Sequence, residues 1–336
     1  MDFSPDEGQQ AVADVVTAVL ERDNSWDALV SGGVTALGVP ERLGGDGVGL
    51  AELATALTEI GRRGTISPAL ATVGLGLVPL LDLASDEQQD RYLAGVAKGA
   101  ILTAALNEPG VALPDRPATT LTGGRLNGTK VGVPYAGAAE YILVSTDNGV
   151  VVVSASADGV QVTETPTSNG GDEAAVTFSD VAVDDADVLG SGLEAVRRVN
   201  ALALAATGAF AAGLVAGALR LTADYVANRH QFGRPLSTFQ TVAAQLAEVY
   251  IASRTLDLAA NSVVWRLAEG LDAADDLEVL GYWLTSQAPP VMQTCHHLHG
   301  GMGMDITYPM DRYYSTIKDL SRLLGGPSHR LDLVGV

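Results

Sequence analysis

Apolar residues recur at spacings of three and four through the first hundred positions, give way to short β-branched runs, then return to helical spacing to the end of the chain. From Ser4 the pattern predicts a helix to about Arg22, with Ser4 as N-cap, Pro5 in the first turn and Glu7 three residues on. A glycine-rich loop, "GVPERLGGDGVG" (38–49), precedes a second amphipathic helix, "LAELATALTEIGRRG". The stretches "ALATVGLGLVPLLDLA" and "DEQQDRYLAGVAKG" complete a helical first third. Between Ile101 and Leu189 the runs "YILVST", "GVVVVSAS", "GVQVTETP" and "AAVTFSDVAV", separated by Gly, Asn and Asp, predict a small antiparallel β-domain. From Glu194 the spacing predicts long helices over 194–228, 236–268, 273–300 and 309–323. The expected fold class is α+β in three blocks: an all-α domain over 1–100, a β-domain over 101–190 and a helical bundle over 191–336.

The totals narrow what such a fold can do. With 336 residues, 47% of them hydrophobic, the chain can bury a full-sized core. Lys and Arg number 20 against 40 Asp and Glu, a net charge of -20, and phosphate-backbone binding needs clustered cations. Nucleic acid and anionic membrane are therefore not expected partners. The single cysteine, Cys295, excludes an internal disulfide framework and any multi-cysteine zinc or iron–sulfur site, and fits a reducing cytoplasm. No positive n-region with a following apolar stretch occurs in "MDFSPDEGQQ", so no secretory signal is expected. The tract "ALALAATGAFAAGLVAGALRL" is mostly alanine and glycine and is expected to be a helix buried in protein, not a membrane span. His296, His297 and His299 cluster without a second ligand set, so no metal site is expected.

Two stretches stand out chemically: "NRHQFGRPLSTFQTVAAQLAEV", which breaks two helical runs, and "HGGMGMDITYPMDRYY". With the looser "GVPERLGGDGVGLAELATALTEIGR", "TAALNEPG" and "VTFSDVAVDDADVLG", they make the chain resemble the acyl-CoA dehydrogenase family over nearly its whole length. The resemblance implies a helical N-terminal domain, a β-barrel-like middle domain, a C-terminal four-helix bundle, and FAD chemistry on acyl-CoA thioesters. It implies that "RHQFGRP" grips the FAD diphosphate and adenine of a neighbouring subunit through Arg229, Gln231 and Phe232, with Gln240 nearby. The physics agrees: a guanidinium meets a diphosphate bidentately, an aromatic face meets adenine, Gly233 lets backbone approach, and Pro235 is expected to open the next helix. Gly300 and Gly301 match glycines that press backbone against the same nucleotide, and His297 stands where relatives place a glutamine touching it.

The departures are equally specific. Removing an α-proton while hydride leaves the β-carbon needs a carboxylate. The resemblance puts Leu324 in the usual seat of the glutamate and Ala203 in the alternative seat; Glu194 is a distant candidate for a displaced base. Gly132 and Pro134 stand where relatives carry the Trp and Thr that meet the flavin ring, and Val111 to Pro114 replace a small polar run. The half-site a subunit uses on its own flavin is lost, while the half offered across an interface is kept. A symmetric homo-oligomer cannot easily use that combination. The resemblance points to the non-catalytic subunit of an α2β2 heterotetramer of the actinobacterial, steroid side-chain type, with no catalytic residue of its own, FAD shared across the subunit interface and a homologous catalytic partner. The alternatives are a complete flavoenzyme of other chemistry, a monooxygenase or oxidase, and a flavin-free scaffold.

Overall fold

A computed structural model describes residues 3–334. Its axis is a helix of 37 residues, Gly192–Asn228 (α6), Ala-rich and buried on nearly every side. That burial explains why it is long and apolar enough to cross a membrane: 89% of its most apolar window lies inside the protein. Before it come α1 (Glu7–Arg22), α2 (Trp26–Ser31), α3 (Leu50–Arg62), a π-helical stretch Leu70–Leu77 continuing into α4 (Val78–Leu83), and α5 (Asp86–Leu93). After it come α7 (Gln240–Ala268), α8 (Ala274–His299), α9 (Met310–Leu323) and α10 (Gly326–Leu333).

Small residues let α3 and α6 touch backbone to backbone. A Cβ added at Gly213 would stand 2.0 Å from the Thr58 carbonyl oxygen, and one at Gly61 would stand 2.2 Å from that of Phe210. Thr58 Oγ1 donates to the Ala209 carbonyl at 3.1 Å across the same crossing.

The N-cap of α1 is Asp6, not the expected Ser4. Its carboxylate accepts from Gln9 N at 2.8 Å, and the Gln9 side chain accepts from Asp6 N at 3.0 Å. A carboxylate is the stronger cap because it also meets the positive end of the helix.

The strands form two four-stranded sheets. One orders β1 (Leu102–Ala105), β4 (Tyr141–Thr146), β5 (Gly149–Ser154) and β8 (Val188–Ser191); the other orders β2 (Thr120–Thr122), β3 (Arg125–Pro134), β7 (Glu173–Ala182) and β6 (Val160–Glu164). The expectation of a wholly antiparallel domain needs one correction, because β1 pairs with β4 in parallel. The chain between those strands crosses to the other sheet and back, the long connection a parallel pair requires. "GVVVVS" is buried on both faces: Val150 and Val152 join the helical core, while Val151 and Val153 face the second sheet. The first sheet is thus the wall joining β-layer to helices.

Candidate functional site

Two places are candidates for function, one at the C-terminal end of α6 and one along its N-terminal half. The first begins where α6 stops at Arg229, whose N–H donates to the Tyr225 carbonyl at 2.8 Å. His230–Gln231 (β9) then pairs with Arg234–Pro235 (β10) in a miniature hairpin whose turn is Phe232–Gly233. Both turn residues have positive φ, 54° and 81°. Two such residues in succession suit the tight hairpin turn, and glycine adopts that conformation freely, whereas phenylalanine does so under strain. Phe232 is nevertheless 90% exposed. Its ring meets Phe239 edge to face at 6.1 Å, and the Arg234 guanidinium lies 4.1 Å over Phe239.

Pro235 does not open a helix as expected. The N–H of Leu236 closes the hairpin on the Arg229 carbonyl at 2.8 Å, so a 3-10 turn follows and α7 starts only at Gln240, which is exposed.

The C-terminus of α8 lies beside this hairpin. His299, 1% exposed, stacks on Tyr225 at 4.5 Å and meets Tyr308 at 5.2 Å. Its Nε2 is 3.2 Å from Thr222 Oγ1, whose own proton goes to the Ala218 carbonyl at 2.7 Å. Nε2 therefore carries the hydrogen and donates, and buried Nδ1 is left without a partner. Burial, with His296 nearby, holds this imidazole down to about 4. His299 ties Gly300 and Gly301 to the α6 end. Neither glycine has anything within 4 Å of where a Cβ would be, and Gly300 takes a φ of 56°. His297 is exposed. Arg229, Gln231, Phe232, Gln240, His297, Gly300 and Gly301 thus share one end of the bundle, with Met304 (76% exposed) and Ile306 (82% exposed) on the adjoining loop. His299 and Arg234 were not singled out as site residues by sequence. The ring spacing that reveals His299 exists only after α6 and α8 pack.

The second place is a cavity of about 120 Å³ where all three blocks meet. Leu324, Ala203, Gly132 and Pro134, far apart in sequence, all line it. Leu324 and Ala203 are both 3% exposed among apolar neighbours. A Cβ on Gly132, itself at φ 64°, would stand 2.6 Å from Leu323 Cδ2, so β3 and the end of α9 touch with no gap for a ring between them. Asn107 fastens the contact, donating from Nδ2 to the Leu323 carbonyl at 2.8 Å while its Oδ1 accepts from Leu113 N at 2.9 Å.

Sequence reasoning found no acid next to Leu324, but the fold brings Asp319, Glu173 and Asp172 to the cavity wall. Asp319 accepts from Ser168 N at 3.0 and 2.9 Å and from Asn169 N at 2.9 Å. Glu173 takes Arg322 at 2.5 Å and Thr165 Oγ1 at 3.2 Å. Both carboxylates are committed to holding a loop, and Asp172 is exposed. Glu194 is exposed in the first turn of α6 and does not line the cavity. Behind it, Lys130, fully buried, donates to Glu108 Oε1 at 2.9 Å and to Ser145 Oγ at 3.0 Å. Desolvation outweighs the Glu108 attraction and lowers this amine to about 8, while hydrogen bonds from Ala118, Thr119 and Lys130 outweigh burial and keep Glu108 below the usual range.

Comparison with known proteins gives the family. Residues 190–331 match the acyl-CoA dehydrogenase C-terminal domain and residues 3–100 the acyl-CoA dehydrogenase N-terminal domain. The acyl-CoA dehydrogenase FadE28 of Mycobacterium tuberculosis is 75% identical over 100% of this chain and 98% of its own. Among solved structures, a chain of the ChsE4–ChsE5 complex from Mycobacterium tuberculosis superposes with a TM-score of 0.91 at 30% identity, covering 100% of this chain and 98% of that one. A variant of the Tcur3481–Tcur3483 steroid ACAD superposes at 0.89 and 30% identity, covering 98% and 97%.

Proposed function

The chain belongs to the acyl-CoA dehydrogenase family, and from that membership we propose that it is the non-catalytic subunit of a heteromeric, FAD-dependent acyl-CoA dehydrogenase. In this reading it lends nucleotide contacts to a flavin whose ring and catalytic base belong to a homologous partner, in an α2β2 assembly working in the cytoplasm. The reaction is α,β-desaturation of an acyl-CoA, and the structural likeness to a steroid ACAD supports a steroid side-chain thioester as substrate.

One observation carries this reading: the open grip at Arg229 and the closed contact of Gly132 with Leu323 lie at different levels along α6. From Phe210, the cavity-lining residue of α6 nearest the grip, to Asn228 the helix rises roughly 27 Å. In this reading Arg229 holds the adenylate of a flavin whose ring lies on the partner, not at Gly132. At the cavity end the residues do not fit a flavin ring, because Leu323 occupies the space against Gly132, and no uncommitted buried carboxylate stands by. That closure also counts against a self-sufficient monooxygenase or oxidase. At the other end the residues do fit. Arg229 offers two parallel N–H donors to a diphosphate, Phe232 presents a free face to adenine, and the Gly300–Gly301 turn admits close backbone approach. When bound, FAD would supply the hydride acceptor; this chain's part is to bind and orient its adenylate end.

Purification of the chain alone and with its partner tests the proposal. The chain alone should be colourless and the complex yellow and active, with Arg229→Ala lowering flavin content at least ten-fold. A yellow, active preparation of the single chain would overturn it.

A further inference from the structure

The cavity at the closed end is more than space left by a missing ring. Tyr135, directly after Pro134, sits at φ 55°, a strained conformation for a bulky residue, and its side chain lines the cavity. Its N–H donates to the Asp172 carbonyl at 3.0 Å, but no described residue hydrogen-bonds its hydroxyl. Several other polar groups around the cavity are occupied. Thr207 Oγ1 donates to the Ala203 carbonyl at 2.7 Å, Asn169 Nδ2 to Thr316 Oγ1 at 3.2 Å, and Asn107 bridges Leu323 and Leu113.

A second irregular element makes the opposite wall, where Leu70, Ala71 and Leu75 come from the π-helical stretch Leu70–Leu77. Extended π-helix is rare and collects at functional sites. The lining divides into an apolar floor that includes Ala203, Phe210 and Leu320, and a polar rim at 167–172, the arrangement of small-molecule sites.

We propose that this cavity binds a compact, neutral, largely apolar molecule carrying one hydrogen-bonding group, which the Tyr135 hydroxyl receives. No lysine or arginine lines it, so the polyanionic part of a CoA thioester finds no partner there. Asp172 at the rim and Asp319 in the wall also disfavour an anionic ligand. The volume, about 120 Å³, is near the roughly 150 Å³ of engineered apolar cavities that take up benzene. Burial, and then Asp172, raise the Tyr135 phenol to about 12, so it stays neutral and able to donate. The inference rests on the reading that no flavin ring enters this end of the chain.

Calorimetric titration of the full chain within its complex, with phenol, benzene and benzoate as probes, tests it. Phenol should bind most tightly, benzene about five-fold more weakly for want of one hydrogen bond, and benzoate not at all. Tyr135→Phe should bring phenol down to benzene while leaving benzene unchanged. Ala203→Leu should abolish binding of both, and Ala71→Leu provides the same test from the other wall if the first variant fails to fold. Absence of phenol binding, binding that survives both filled cavities, or equal binding of benzoate would overturn the proposal. The flavin content of the same complex is read separately: a flavin lodged in this cavity would sink the functional reading above, whereas a ligand-free cavity beside normal flavin content would sink this inference alone.

Discussion

Phe232 shows most plainly what single residues contribute. An aromatic held in the left-handed conformation with 90% of its surface in water stabilises the chain little beyond its edge contact with Phe239. Replacing it by asparagine, which tolerates that conformation, should raise stability by about 0.5–1 kcal/mol. The same variant should bind FAD more weakly in the complex, measured by thermal unfolding and by flavin absorbance. His299 makes an opposite bargain. Its imidazole is neutral when folded and is held at about 4, while the unfolded chain takes up a proton near its ordinary value of 6.5. The unfolded state therefore binds more protons across that window, and stability is lost as pH falls from about 6.5 towards 4, by on the order of 2 kcal/mol. His299→Phe, which keeps the stack on Tyr225, should flatten that decline in unfolding experiments run across the pH range.

Elements carry the next level of constraint. The notch where α3 crosses α6 leaves no room for a methyl group at Gly213. Gly213→Ala should cost on the order of 2 kcal/mol despite its better helix propensity, because two helices must separate to admit it. The end of α9 is constrained by what surrounds it. Leu324→Glu restores a carboxylate to the family's seat, but the side chain would be buried in a cavity lined by Leu323, Leu113 and Ala203 and by no lysine or arginine. The expected result is a stability loss on the order of 3 kcal/mol and no dehydrogenase activity of the chain by itself, read by unfolding and by a dye-reduction assay. Activity appearing in that variant would mean that the contact between Gly132 and Leu323 opens enough to admit a ring.

For the whole molecule, one group of exposed apolar residues lies at the C-terminal end of α6. Phe232, Met302, Met304 and Ile306 surround it, and Tyr250, Ile251 and Leu258 continue along α7. Exposed apolar surface of this kind marks association surfaces, so the complex with the partner should unfold at higher temperature than either chain. The functional reading fixes the flavin count as well: half as many flavins as chains in the assembly. Glu194, exposed and away from the cavity, gives the control. Glu194→Gln should leave turnover of the complex within about two-fold, and a dead enzyme would show that the base had been misplaced.

The three-block architecture was legible because its signals are local. Periods of 3.6 and 2 belong to neighbouring residues, as do capping groups, and a change of period marks a change of block whatever the packing. The expectations for Arg229–Phe232, Leu324 and Ala203 could be drawn from sequence because each rests on a short run of residue identities. Other features depended on chain segments meeting. The parallel pairing of β1 with β4, the stacking of His299 on Tyr225, the capture of Asp319 and Glu173 by a loop and an arginine, and the touching of Gly132 and Leu323 all join positions distant in sequence. No local pattern encodes those distances, and only packed backbones set them. Sequence determined the order of helical and β blocks and which residue types stand at Arg229–Phe232, Ala203 and Leu324. Tertiary structure alone decided which of these positions meet, because packing closes Gly132 against Leu323 and leaves Phe232 and the Gly300–Gly301 turn open at the C-terminal end of α6.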